Sequence, residues 1–568
     1  MDTDNISGAK RSASAYLTAT TLFLATAAFT LWQNTRVAVL WDLSYLLDSS
    51  FRISLGQVPY RDFPFAHAPL TFLVQAMIIK LAGRVYFVHV IYAALAGGAA
   101  TVLTWRILLN LLQPLAGRAW LLSTLLAAPL IFLGIYGIYP HPVYDSDCLL
   151  AVLAAIWSLQ RAGEARTRNF LAGALCVLPL FYKQNIGLPF LAIAALSVAV
   201  VAIVRRVQVA SIAPQLCLFG GACAALTAAL LILHATAGLH NYFYWTITFA
   251  AQRRLPGLSV VLGTYHQTSL LWTVPAAAAA IALLRSHGLH GKRWTQPVAL
   301  LLLAGPFLWT IAALFLADDP DDRGDQLLSL WPHLLILAVA LAASNLRPRI
   351  LSSKTSSTLN TLLPLIVLAT IHGAFLSQQL WGSTYATWPL LTLLVASLLM
   401  QVPAIARPLA AIVAATFLLC GGLYATSHER VGYIHLDGAL AHATSSELKG
   451  LATPGPWIPG FEELIRFASA EIPAGDGVLL IPGENPFYFA TGRTPQFPVL
   501  LFDPATDPYS PHQVLDRALA HNIRWVVVSR NLQLAAPPMP DLPETVGLLR
   551  QDFAPYRTLG NYDVYRRR

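Results

Sequence analysis

Residues 41–70 read WDLSYLLDSSFRISLGQVPYRDFPFAHAPL. They lie between the first long apolar segment, about residue 15–32, and the next, 86–106, and they carry Asp42, Asp48, Arg52, Arg61, Asp62 and His67. Charge placed beside hydrocarbon is costly, so a chain that keeps it there generally lines a site or a pathway with it. Clustered acids, arginines and a histidine within one amphipathic stretch mark a candidate site rather than a solvated loop.

Asp42 sits just past the first apolar segment, at the expected membrane–water boundary. Apolar residues at 43, 46, 47, 51 and 55 have helical spacing. This predicts a helix lying along the membrane surface, with Tyr45, Asp48 and Arg52 in its sequence. GQVPYRDFP, with Gly56 and Pro59 as breakers, reads as a turn containing Tyr60, Arg61 and Asp62. HAPLTFLVQAMIIKLAG follows as a second apolar helix ended by Gly83. The whole connection, 33–85, thus reads as two surface helices joined by a turn.

The rest of the chain explains the setting. Of 568 residues, 56% are hydrophobic and 11% charged, and the mean hydropathy is +0.58. A soluble domain carries about 25% charged residues, so this is a polytopic α-helical membrane protein. Apolar stretches run at 15–32, 86–106, 119–137, 146–160, 169–182, 187–204, 212–237, 268–285, 296–316, 326–346, 360–380, 385–404 and 408–426. Since a span needs roughly 20 apolar residues, 146–160 and 169–182 are short, and the expected count is about 11–14 transmembrane helices. Lys10, Arg11, Arg106, Arg118, Arg205, Arg206, Arg285, Lys292, Arg293 and Arg407 fall on alternate, short connections. The positive-inside rule puts these in the cytoplasm, the N-terminus with them, and the 33–85 loop outside. The net charge of +9 is accounted for by these loops and does not imply a nucleic-acid partner.

The N-terminus has only Lys10 and Arg11 ahead of a full-length apolar segment and lacks a small-residue cleavage site, so it reads as a retained first helix. The five cysteines lie in or beside apolar segments without metal spacing and read as packing residues. From about residue 430 the texture changes. ELIRFASAEIP and PHQVLDRALAHN read as helices, and GVLLIP, IRWVVVSR and TLGNYDVYRR as strands. The expected organisation is a membrane domain, 1–429, and an extracytoplasmic α/β domain, 430–568. IPGENPFYFATGR is a loop of that tail able to face the membrane site.

An aspartate after the first span, a surface helix, G-x-x-P-Y-R-D-F, then H-x-P-L and a helix ending in Gly resemble the GT-C superfamily of membrane glycosyltransferases. The pattern looks closest to the bacterial branch related to protein O-mannosyltransferases and the lipid A aminoarabinose transferases. The family's early acidic pair is here a single acid, Asp42, followed by Leu43. The resemblance implies a GT-C-like fold in the inner membrane with an extracytoplasmic C-terminal domain. It also implies an enzyme that moves a sugar from a polyprenyl-phosphate carrier to a lipid or glycan acceptor on the outer face. The donor is a substrate, and no cofactor or metal is implied.

Inverting sugar transfer needs one base to take the acceptor's proton, and a carboxylate at a partly desolvated boundary is strengthened as a base. Asp42 is the expected base, a role compatible with capping the helix that follows. Asp48, one and a half turns on, faces elsewhere, and Asp62 reads as a turn residue or the partner of Arg61. Tyr60 and His67 are further loop candidates. The carrier's phosphate needs cations. Lys183 in FYKQNIGLP interrupts two apolar runs, although a lysine there can also snorkel to water. Arg253 and Arg254 follow an aromatic segment and form a dibasic pair suited to phosphate, and Arg61 is a weaker candidate. His141, Asp145 and Asp147 in IYPHPVYDSDCLL are placed to orient acceptor or base, and three residues so close along one turn make a poor metal site. The competing readings are a polysaccharide polymerase or ligase using lipid-linked glycans, and a transporter. A transporter would show mid-span charges and repeated halves, which are not evident here.

Overall fold

The computed structural model describes residues 3–115, 117–137, 139–207, 211–254, 257–263, 265–286, 292–316, 330–340, 355–376, 386–426, 434–503, 506–535 and 541–568. Six helices among them are long and apolar enough to cross a bilayer: Ala13–Asn34, Tyr86–Leu115, Gln184–Arg206, Ala213–Thr236, Thr295–Leu316 and Ala406–Thr426. Shorter apolar helices run over Leu70–Ala82, Leu270–Arg285, Leu330–Ala340, Leu362–Phe375 and Trp388–Leu399. Leu24, Leu171, Leu196, Ile203, Leu231, Ile232, Leu301 and Phe315 point outward from this bundle. So much exposed hydrocarbon is what a lipid-facing surface requires. The chain is an integral membrane protein.

Some expected spans are broken, each at an identifiable residue. The 119–137 stretch is split into Ala119–Ala127 and Leu130–Leu133 by Pro129. The 169–182 stretch is split into Arg166–Leu175 and Leu178–Tyr182, with Pro179 opening the second piece. Proline lacks the N–H a helix interior needs and favours the first turn. Arg166–Leu175 and Ala213–Thr236 cross backbone to backbone: a Cβ on Gly173 would lie 1.9 Å from the Leu218 carbonyl oxygen, and one on Gly221 1.9 Å from that of Phe170. Small residues permit such close approach between membrane helices. Cys148, Cys176 and Cys420 are buried, whereas Cys217 is only half-buried and Cys223 is exposed, so packing accounts for some of the cysteines and not all.

The first helix, α1 (Thr3–Asn34), leads into α2 (Leu40–Ser54), α3 (Leu70–Ala82) and α4 (Tyr86–Leu112). Helix α2 is enclosed by the protein rather than open on one side. All of its residues are buried except Asp42, Tyr45 and Ser54. Leu40, Leu43, Leu47 and Phe51 on one side form a single apolar core with Leu448, Leu451, Ile458, Phe461, Phe487 and Phe489 of the tail. Gly83 closes α3 with φ +79°, a conformation glycine adopts without strain.

The tail contains a small sheet with helices against it. β1 (Leu440–His442) pairs antiparallel with β2 (Ala452–Pro454). β3 (Gly477–Ile481), β4 (Ile523–Ser529), β5 (Phe553–Thr558) and β6 (Tyr562–Arg567) form a second sheet in the order β3-β4-β6-β5. β3 and β4 are parallel and the other pairs antiparallel. The β3–β4 crossover includes the helix Pro511–Ala520, started by a capping box between Ser510 and Gln513. Strand alternation sends Val478, Leu480, Trp525 and Val527 into the core shared with α2 and α4. Leu479, Ile481 and Val526 go into a second core on the other side of the sheet. The helix Leu542–Asp552 and strand β5 had no distinct sequence signal, being polar and interrupted.

Candidate functional site

Helix α2 separates two kinds of surface. At 100° per residue, Leu40, Ser44, Leu47, Asp48 and Phe51 share one face, and Asp42, Tyr45 and Ser49 share the opposite one. The first face grips the tail. The Asp48 carboxylate accepts from the Phe489 N–H at 2.7 Å, at the start of the short helix Phe487–Thr491. Ser44 donates to the Gly483 carbonyl, and the Arg52 guanidinium donates to the carbonyls of Pro498 (2.6 Å) and Phe497 (3.0 Å) while lying over the Phe63 ring. Arg84 donates to the carbonyls of Phe489 (2.6 Å) and Ala490 (2.9 Å). Gly492, with φ +73°, ends that short helix, and a Cβ there would meet the Arg84 guanidinium at 2.8 Å. Burial pushes the Asp48 carboxyl up to about 8 against the pull of the Phe487–Phe489 amides, and Glu484 in the same tail segment up to about 7. Asp48 is therefore occupied by the tail and does not open toward the site.

The second face is the candidate site. Asp42 and Tyr45, one turn apart, are the half-open residues of an otherwise enclosed stretch of helix. The Tyr45 hydroxyl lies 2.9 Å from His67 Nδ1. His67 belongs to the H-x-P-L turn, whose shape is held by the Tyr60 hydroxyl donating to the His67 carbonyl at 2.7 Å. Tyr60 has φ +70°, a left-handed conformation uncommon for such a residue, so this turn is held by its surroundings. The His67 ring is 4.5 Å from that of Tyr144, and the Lys183 ammonium is 4.9 Å from the Tyr144 ring centre. Lys183 forms an ion pair with Asp145, both side chains only 9% exposed. An aromatic wall of Tyr45, Phe65, His67, Phe72 and Tyr144 thus links the Asp42 turn to the lysine. Gln184 braces the arrangement by donating to the carbonyls of Ala66 (3.3 Å) and Thr246 (3.1 Å).

The remaining sequence candidates whose side chains are described fall outside this wall. Asp147 is buried and accepts from the hydroxyls of Thr71 (2.8 Å), Tyr92 (2.9 Å) and Tyr136. That carboxylate ties three segments together. His141 is buried with Nε2 lacking a hydrogen-bond partner among the described residues, and burial lowers its pKa to about 4. Arg61 and Asp62 form an exposed pair at 2.8 Å, which holds the Asp62 carboxyl below its ordinary range, helped by the Val58 N–H. Arg253 and Arg254 end the helix Ala250–Arg254, and their side chains lie outside the described residues. Among the described residues no group of three or more His, Cys, Asp or Glu is placed to hold a metal ion. Tyr45 and Tyr144 were not singled out from the sequence. The i, i+3 spacing of Asp42 and Tyr45 was the available signal, whereas Tyr144 next to Asp145 gave none.

No family model matches this chain, and no curated protein matches it. Among solved structures it is similar to ArnT from Cupriavidus metallidurans bound to undecaprenyl phosphate, with 12% identity and a TM-score of 0.45 over 98% of both chains. A likeness that distant leaves function to be argued from the site itself.

Proposed function

We propose that the chain is a glycosyltransferase that moves a sugar from a polyprenyl-phosphate carrier to a lipid or glycan acceptor on the extracytoplasmic face, with inversion. Residues 1–429 supply the membrane part and the chemistry, and 430–568 form an extracytoplasmic domain docked on the face of α2 turned away from Asp42. The observation that carries this reading is the half-open first part of α2, where Asp42 and Tyr45 stand beside an aromatic wall ending in a nearly buried lysine. An acid, aromatic faces and a cation in that order suit an acceptor hydroxyl, a sugar ring and a phosphate.

In this reaction Asp42 takes the proton of the acceptor hydroxyl as its oxygen bonds to the anomeric carbon. The bond from that carbon to the phosphate oxygen breaks with its electron pair, and polyprenyl phosphate departs. Lys183 stabilises the negative charge that grows on the leaving phosphate. Tyr45, held by His67, borders the Asp42 side of the pocket, and the ring faces of Tyr45 and Tyr144 flank the sugar.

The test is Asp42→Asn, which keeps the shape of the side chain and removes its basicity. Transfer from a polyprenyl-phosphate sugar is expected to fall by at least about a hundredfold, the scale of general-base loss, with carrier affinity retained. A purified, folded variant with near-normal turnover would remove Asp42 from the role.

A further inference from the structure

Lys183 does not wait in the site as an open cation. Its ammonium is paired with the Asp145 carboxylate, lies over the Tyr144 ring, and is shielded with its partner to 9% exposure. The pair joins two segments that close onto the site. Asp145 stands in the first turn of Tyr144–Gln160, and Lys183 sits at the break between Leu178–Tyr182 and Gln184–Val207. Cys148, one turn after Asp145, donates to the Pro179 carbonyl at 3.4 Å and fixes the same junction. Asp147, two residues on, is saturated by hydroxyls and is not a substitute partner.

We infer that Asp145 is an internal stand-in for the carrier's phosphate: a carboxylate that occupies Lys183 when the site is empty and is displaced when a phosphate arrives. This rests on the proposed function, from which it takes Lys183 as the phosphate contact. The physical argument is that a nearly buried ammonium needs a counter-anion at every stage of a cycle. Before the carrier binds and after its phosphate leaves, Asp145 is that anion. While the carrier is bound, the phosphate takes its place. The acid therefore works against binding and for release. A site that is competent only for a fraction of the time loses apparent affinity by that fraction. Asp145 is thus a positioning residue, touching neither sugar nor acceptor, that keeps the spent carrier exchangeable.

The experiment measures binding of polyprenyl phosphate, with the neutral polyprenol as control, to the full chain in lipid nanodiscs. Asp145→Asn is expected to bind polyprenyl phosphate about tenfold more tightly, if the competent fraction is near one tenth. The polyprenol is expected to bind as before, and steady-state turnover to fall as product release slows. In a Lys183→Met background the same substitution is expected to give no gain. General damage to the pocket weakens binding and cannot produce the tightening. Unchanged or weaker binding by folded Asp145→Asn overturns the inference. Should that variant fail to fold, Asp145→Ser is measured in its place against the same expectation. If both fail to fold while Lys183→Met/Asp145→Asn folds, the acid serves only to neutralise the lysine, and the inference is likewise lost. Failure of the wild type to bind polyprenyl phosphate at all would instead strike the proposed function, so the two failures are distinguishable.

Discussion

Asp145 and Asp147 stand two residues apart on one helix turn and do different work. Asp147 receives hydroxyl hydrogen bonds from Thr71 of α3, Tyr92 of α4 and Tyr136. Asp147→Ala leaves the buried Thr71 and Tyr136 hydroxyls without an acceptor, at about 1–3 kcal/mol for each, and the half-buried Tyr92 hydroxyl as well. It is expected to lower the melting temperature sharply while the folded fraction keeps its carrier affinity. A loss of affinity at unchanged melting would move Asp147 into the binding site. Among the described residues Asp145 pairs with one cation, Lys183, so its removal is felt through that lysine. For Lys183 itself, the expected outcome of Lys183→Ala is a loss of at least about tenfold in affinity for polyprenyl phosphate, little change for the acceptor, and a smaller difference at high salt. Equal carrier affinity in wild type and variant, measured at low salt, would return this lysine to a structural role.

At the scale of elements, the grip between α2 and the tail is the feature that responds to pH. The groups facing it are Asp48, Arg52, Arg84 and Tyr488, with Glu484 on the same tail segment. The Asp48 carboxyl lies at about 8 when docked and near 4 when free, and Glu484 at about 7 is displaced in the same direction. Between those values the released carboxyl is ionised while the docked one keeps its proton. The released form thus binds fewer protons, and raising the pH through this window weakens docking. Limited proteolysis between the tail and α2 is expected to speed up as pH rises from about 5.5 to about 8.5. Asp48→Asn, whose amide oxygen still accepts from Phe489, is expected to flatten that rise. Faster cleavage at the acid end would reverse the assignment. The sequence made the helices of this region legible, because periodicity and breakers are local: α3 with its closing Gly83, the strands GVLLI and IRWVVVS, and the helix PHQVLDRALA all came from such signals. It did not reveal that α2 is enclosed, because the residues that bury it, such as Phe487 and Phe489, lie more than 400 positions away, beyond any window. The same distance hid the Asp48 and Arg52 contacts. Lys183 and Asp145 were each visible as unusual residues, whereas their pairing is a property of how two segments meet.

At the scale of the whole molecule, the six long apolar helices among the described residues carry a tail that shares its core with the first loop. Truncation after residue 426 exposes Leu40, Leu43, Leu47 and Phe51 together, each worth about 1.5–3 kcal/mol of burial. The shortened chain is expected to aggregate on size-exclusion chromatography of fluorescently tagged protein. A monodisperse truncated protein would mean that the bundle and its loop stand without the tail. The manner of the grip has its own consequence. Asp48, Ser44, Arg52 and Arg84 all take hold of the tail's main chain, through the Phe489 N–H and the carbonyls of Gly483, Pro498, Phe497, Phe489 and Ala490. A peptide group is present whatever side chain it bears. The fastening is thus indifferent to the chemistry on the tail's outward surface. That surface is free to change, residue by residue, while the tail stays latched to α2.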